Sequence, residues 1–218
     1  MRWLWPIVVL VLLVALRPSR AEAHQPRLVS GEGQIDITSP QISQAFYATL
    51  GGAPQVYRVA VGQEMHLYVS LLVPDLPGQR TDFVLEVSTA ADAETLLVRL
   101  EGSAHEWTPF YEPFGGDRYL SGPDAELLVP PGDYLLLVSN ADNLGRYVLS
   151  VGREERFSWR DAVETGRRLP AVKRFFGRSP LTAYLNLVGV FMLLAVGGAA
   201  LVVVVLLRWL VPVLRRLR

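Results

Sequence analysis

Cysteine is missing altogether from the 218 residues. The chain therefore has no disulfide framework, no thiol nucleophile and no lipidated bacterial N-terminus. Histidine is nearly as scarce, with His24, His66 and His105 the full set. No G-x-S-x-G elbow marks a serine nucleophile. No glycine-rich phosphate loop occurs either, since Gly51-Gly52 and Gly115-Gly116 read as turn glycines. Among the acidic residues no spacing singles out a carboxylate pair for glycoside hydrolysis. Together these absences speak against an enzyme. They also predict a domain that relies on its apolar core alone, which is feasible at about 130 residues.

What is present falls into two populations. Trp3 to Leu16 is a 14-residue apolar run behind Arg2, too short for a comfortable membrane span and the right length for the core of a signal peptide. Ala21 and Ala23 supply small residues at the cleavage positions, so residues 1–23 are expected to be removed, leaving His24 first. Arg17 and Arg20 leave an uncleaved anchor as the alternative. Leu181 to Leu207 is a second run, 27 residues without a charge. A helix of that length reaches about 40 Å, enough to cross a bilayer with some tilt. Tyr184 and Trp209 stand near its ends, where interfacial aromatics belong. The span is placed at 181–209, and a buried core helix is the plainer alternative. Its small residues Gly197-Gly198, Ala195, Ala199 and Ala200 would allow a homo-oligomer through helix pairing.

Arginines flank the span on both sides, and the signal peptide decides the orientation: the domain is exported and residues 210–218 form a short basic cytoplasmic tail. The terminal arginines argue against a removable lipid-anchor signal. The formal net charge of zero conceals an asymmetry. Residues 24–153 carry 16 acidic groups against 7 arginines, a net of −9, and the remainder carries +9. An acidic exported domain speaks against nucleic acid as a partner.

Within 24–153 the periodicity is that of strands. "VYRVAV", "MHLYVSLL", "DFVLEVS", "TLLVRLE", "AELLV", "GDYLLLVSN" and "GRYVLSVG" alternate or run apolar, separated by turn clusters such as Pro74-Asp75-Leu76-Pro77-Gly78 and Pro130-Pro131-Gly132-Asp133. No amphipathic stretch of helical length interrupts them. About eight strands at this spacing predict a mainly β fold, an antiparallel, jelly-roll-like β-sandwich. A short juxtamembrane helical segment, 154–180, and the membrane helix follow it.

Two stretches carry a resemblance. "VYRVAVGQEMHLYVSL" (56–71) resembles a strand pair of bacterial pre-peptidase C-terminal (PPC-type) β-sandwich domains, and "PPGDYLLLVSNADNLGRYVLSVG" (130–152) is similar to their closing hairpin, where two G-x-Y strands pair. The resemblance implies a binding or targeting module, with Tyr134 and Tyr147 on neighbouring strands. The aspartate-rich segment usual before the first strand, which would hold calcium, is absent. The order of segments also resembles the p24-type (GOLD-domain) cargo receptors. Against that, the tail lacks diphenylalanine and dilysine signals, and Phe175-Phe176 precedes the span.

In "RFSWRDAVETGRRLPAVKRFFGRSP" (156–180), Ser158 and Asp161 make a capping-box-like helix start, with Gly166 and Pro170 expected to limit the helix. Aromatic and apolar residues mix there with seven basic residues. This segment either packs beneath the sandwich as a stalk or lies on lipid headgroups.

Two candidate sites remain. A cleaved N-terminus would place an amine and the His24 imidazole one residue apart. With His66 or His105 these would complete a three-nitrogen copper site. "AHQPRLV" is similar to the mature start of periplasmic copper carriers, with the histidine displaced by one position. No other cofactor is expected. The second candidate is "HEWTPFYEPFGGDRY" (105–119), which breaks the strand alternation and concentrates Trp107, Phe110, Tyr111, Phe114 and Tyr119 around Arg118. As a stiff loop it would present hot-spot residue types to another envelope or surface protein or a glycan. The competing account has its rings plug one end of the sandwich.

Overall fold

The computed structural model describes residues 24–30, 33–91, 95–113, 115–156 and 159–185, together with Gly189, Leu193, Gly197, Gly198, Val204, Leu207 and Arg208. The signal segment 1–23 and the tail 210–218 lie outside the described residues.

Among the described residues eleven strands form where the spacing predicts about eight: β1 (Gln25–Leu28), β2 (Gln34–Ile37), β3 (Gln44–Gly51), β4 (Gln55–Val61), β5 (Met65–Pro74), β6 (Val84–Thr89), β7 (Leu96–Glu101), β8 (Thr108–Glu112), β9 (Asp117–Val129), β10 (Gly132–Ser139) and β11 (Leu144–Val151). They make a six-stranded sheet, β1-β3-β11-β5-β9-β8, and a five-stranded sheet, β2-β4-β10-β6-β7. The strands that the spacing did not single out are β1, β2, β3 and β8, and all but β3 are short. Two of them contain proline, Pro26 in β1 and Pro109 in β8, and both lie at sheet edges, where a missing N–H leaves no ladder bond unmade.

The period-2 pattern does its expected work in the five-stranded sheet. Tyr57, Val59 and Val61 of β4 and Tyr134, Leu136 and Val138 of β10 point into the core, while Arg58 and Asp133 pair outside at 2.6 Å. In the six-stranded sheet both faces are covered, so β3, β5 and β11 read as nearly continuous apolar runs. Phe46, Leu71, Leu149 and Val151 meet the other sheet in the main core. Ala45, Tyr47, Leu72, Tyr119 and Val148 form a second, smaller core on the outer face. A hydrogen bond of 2.9 Å between the Tyr57 and Tyr147 hydroxyls joins the two sheets across the interior.

The structure corrects three expectations. First, the sandwich is mixed rather than purely antiparallel: β1 runs parallel to β3, and β2 to β4. The chain changes sheet at each turn from β1 to β4, and a strand that returns after one excursion runs in the direction it left. Second, the two G-x-Y strands do not pair. β10 lies between β4 and β6, β11 lies between β3 and β5, and the Asn140–Asn143 turn crosses from one sheet to the other. Tyr134 and Tyr147 therefore sit on opposite sheets.

Third, Gly166 and Pro170 do not limit the helix. A single helix, α1, runs through both from Trp159 to Phe175. A proline inside a helix deprives the carbonyl four residues earlier of its donor. That carbonyl is Gly166 O, and the Tyr184 hydroxyl donates to it at 3.2 Å. Tyr184 belongs to a 3-10 turn, Pro180–Tyr184, that folds back against α1. The stretch 181–209 thus begins in a turn rather than in a spanning helix, and most of the remainder lies outside the described residues. Among the described residues no helix is long and apolar enough to cross a membrane.

Candidate functional site

The six-stranded sheet presents Tyr47, Leu72, Tyr119 and Val148 outward, and Val172 and Phe175 of α1 cover them together with Phe176 just past its end. Phe176 meets the Tyr119 ring edge-on, with centroids 4.8 Å apart. Beneath these rings the Tyr47 and Tyr119 hydroxyls share a hydrogen bond of 2.7 Å. Burial raises both phenols well above their ordinary pKa, and for Tyr119 the neighbouring Tyr47 adds to the effect.

At one end of this contact stands an ion-pair cluster. Lys173, the single lysine of the chain, and Asp117 at the start of β9 have side chains only 1% exposed. Lys173 Nζ donates to Asp117 Oδ2 at 2.7 Å and also to the carbonyl of Gly115. Arg178 donates to Asp117 Oδ1 at 3.2 Å and to Gly116 O at 2.8 Å. Three side chains and two turn carbonyls thus satisfy one another. The arrangement is a clamp between helix and hairpin, with both Asp117 oxygens already engaged. Farther along, Arg168 donates to Pro26 O and Arg146 to Phe175 O, each at 2.8 Å.

The 105–119 stretch is mostly a β8–β9 hairpin rather than an irregular loop. Its rings divide. Trp107 is partly buried against the main core and donates from its indole to Gly102 O at 2.8 Å. Phe110 packs on the second core, 6.0 Å from the Tyr119 ring. Tyr111, 57% exposed, and Arg118, also exposed, are cross-strand partners on the face of the hairpin opposite Phe110 and Tyr119. Phe114 lies outside the described residues.

The three histidines occupy separate elements. His24 precedes β1 and shares a hydrogen bond with the Ser43 hydroxyl. His66, on β5, faces Glu126 at 3.8 Å on the surface. His105 lies edge-on to Trp107 with ring centroids 6.4 Å apart. Among the described residues no group of three or more His, Asp or Glu side chains could hold a metal ion.

A feature that sequence reasoning missed is a polar cleft of about 580 Å³ at the edge formed by β1, β3 and the start of α1, lined by Gln25, Arg27, Gln44, Arg156 and Asp161. Arg27 Nε is buried without an acceptor among the described residues. Burial and the nearby Arg168 lower the Arg27 pKa. No motif announces this cleft, because its walls come from three separate segments.

No protein-family model matches the sequence, and no curated protein matches it. Among solved structures, a β-glucosidase from Paenibacillus barengoltzii is similar over 63% of this chain and 14% of its own length, at 15% identity and a TM-score of 0.26. CorA, described as a surface-associated copper-binding protein important in Methylomicrobium album BG8 copper acquisition, is similar over 62% of this chain and 89% of its own, at 10% identity and a TM-score of 0.21. The pre-peptidase C-terminal domain of a collagenase from Bacillus anthracis is similar over 56% of this chain and 97% of its own, at 14% identity and a TM-score of 0.37. That domain is of the kind whose strand motifs residues 56–71 and 130–152 resemble.

Proposed function

We propose that the protein is a membrane-anchored, extracytoplasmic β-sandwich that serves as a non-enzymatic interaction module. The observation that carries this reading is how the sandwich hands the chain over to its apolar run. The clamp at Asp117 holds α1 to the six-stranded sheet, and the Pro180–Tyr184 turn folds back on α1. The chain then enters the run with Leu181 and Leu185 already 85% and 81% exposed. Large aliphatic side chains in water at this density are unfavourable, whereas in lipid they are at home. Residues 1–23 act as the cleaved signal, 181–209 as the anchor and 210–218 as the cytoplasmic tail. An exposed Tyr111 beside Arg118 supports contact with a second envelope component, a protein or a glycan, at the β8–β9 hairpin.

The test is made on membranes from cells expressing the full chain with a C-terminal tag. Alkaline carbonate should leave the protein in the membrane fraction. Protease added from outside should destroy the sandwich and spare the tag. N-terminal sequencing should begin at His24. Release by carbonate, or a sandwich protected from external protease, would overturn the reading.

A further inference from the structure

We propose that the face of α1 turned away from the sandwich is a lipid-binding surface that rests on anionic phospholipid headgroups, an inference that builds on the membrane-anchor reading above. Successive helical residues turn by about 100°, so positions spaced by four, three and four form one stripe. Thr165, Leu169, Val172 and Phe176 make such a stripe along and just past α1, and the last three are buried against the sandwich. Val163, Arg167, Pro170 and Arg174 make another, about 200° away. Val163, Arg167 and Arg174 on it are exposed.

This outer stripe contains arginine and apolar residues and no carboxylate. The acidic residues of α1 lie elsewhere: Asp161 is half-buried, and Glu164 sits on the flank, 3.5 Å from both Arg167 and Arg168. The stripe also borders the start of the apolar run. Tyr184 reaches back to Gly166, on the flank of the stripe one helical step from Arg167, so Leu181 and Leu185 leave the domain alongside α1 rather than beyond its end.

Charge selects the partner. The sandwich as a whole, at −9 over 24–153, is repelled by an anionic bilayer, whereas the outer stripe of α1 carries only positive charge. Guanidinium groups bind phosphate oxygens bidentately, and Val163 and Pro170 between them can enter the headgroup layer. Docking by this face would lay α1 flat between the membrane and the six-stranded sheet. The five-stranded sheet would then face outward.

The absence of cysteine makes the test clean. Val163→Cys, Leu97→Cys and Leu193→Cys each create one attachment point for a nitroxide on the full chain in nanodiscs. The discs are made of phosphatidylcholine with or without phosphatidylglycerol. The readout is collision with membrane-partitioning oxygen relative to a water-soluble nickel chelate.

The Leu193 label is expected in lipid and the Leu97 label, on the outer face of the five-stranded sheet, in water. The Val163 label is expected at the interface when phosphatidylglycerol is present. High salt, or Arg167→Ala with Arg174→Ala, should return it to water, lowering the docked-to-undocked ratio by about 30-fold at about fivefold per arginine. A Val163 label as water-exposed as Leu97, with Leu193 in lipid, would overturn the lipid face and leave the anchor standing. An interfacial Val163 label indifferent to phosphatidylglycerol and salt would overturn the charge argument. A Leu193 label in water would remove the anchor and the proposal together.

Discussion

Trp107 and Gly122 are a matched pair. The six-membered ring of Trp107 lies against the backbone of Gly122, in the space where a Cβ at that position would stand. Gly122 and its neighbour Pro123 fall at the point where the β5–β9 register shifts, so neither is needed for the ladder. The indole is further held by its bond to Gly102 O. Gly122→Ala should therefore destabilise the fold by about 1–3 kcal/mol, the usual cost of overpacking a filled site. In a Trp107→Ala background the same change should cost far less, because the space is then empty. Denaturant unfolding of the four proteins of this cycle measures the difference. Additive costs would mean that the ring does not set the constraint at Gly122.

At the scale of the element, the docking of α1 depends on Asp117 more than on Lys173. If Lys173 is replaced by methionine, Asp117 keeps Arg178 at 3.2 Å and Gly115 loses one donor. If Asp117 is replaced by asparagine, a buried ammonium remains with carbonyl partners alone. Leaving a buried charge uncompensated costs about 3–5 kcal/mol, so Asp117→Asn should be the more damaging change. Lys173 offers a direct probe of undocking, since an amine reagent can modify only this side chain and the chain's own N-terminal amine. Acylation of Lys173, followed by mass spectrometry, should be slow in the native protein and fast in Asp117→Asn. Rapid acylation of the native chain would contradict the clamp.

Over the whole molecule, two tyrosine pairs lie at the contacts between layers. Tyr57–Tyr147 bridges the sheets, and Tyr47–Tyr119 lies under α1. Burial is the main cause that raises the pKa of all four phenols. The raised folded-state values fix the sign of the linkage. The folded state holds these protons more tightly than the unfolded state does. Its stability is therefore fully present below the ordinary phenol value of about 10 and falls as pH rises above it. Alkaline titration should show the four tyrosinates appearing together with the loss of β-sheet circular dichroism. Their gradual ionisation in a still-folded protein would contradict the burial.

Much of this architecture was legible in the chain because a strand's period of two records which side chains face inward. Tyr57, Val59 and Val61, or Tyr134, Leu136 and Val138, declare a buried face without reference to any partner. The same pattern is silent about which strand lies alongside, since every inward face looks alike. That is why the similar G-x-Y strands β10 and β11 could occupy different sheets, and why the parallel pairs at β1 and β2 went unseen. Pro170 reads as a helix stop until Tyr184, from a separate turn, supplies the donor that Gly166 O lacks. Lys173 reads as one more basic residue until the hairpin turn closes over it. By itself the sequence determined the β class, the acidic sandwich, the basic segment after it and the apolar runs at either end, all of them properties of composition and period. Tertiary structure alone decided which sheet each strand joined, where α1 docked and which charges were buried, because these depend on surfaces that meet only once the chain has folded.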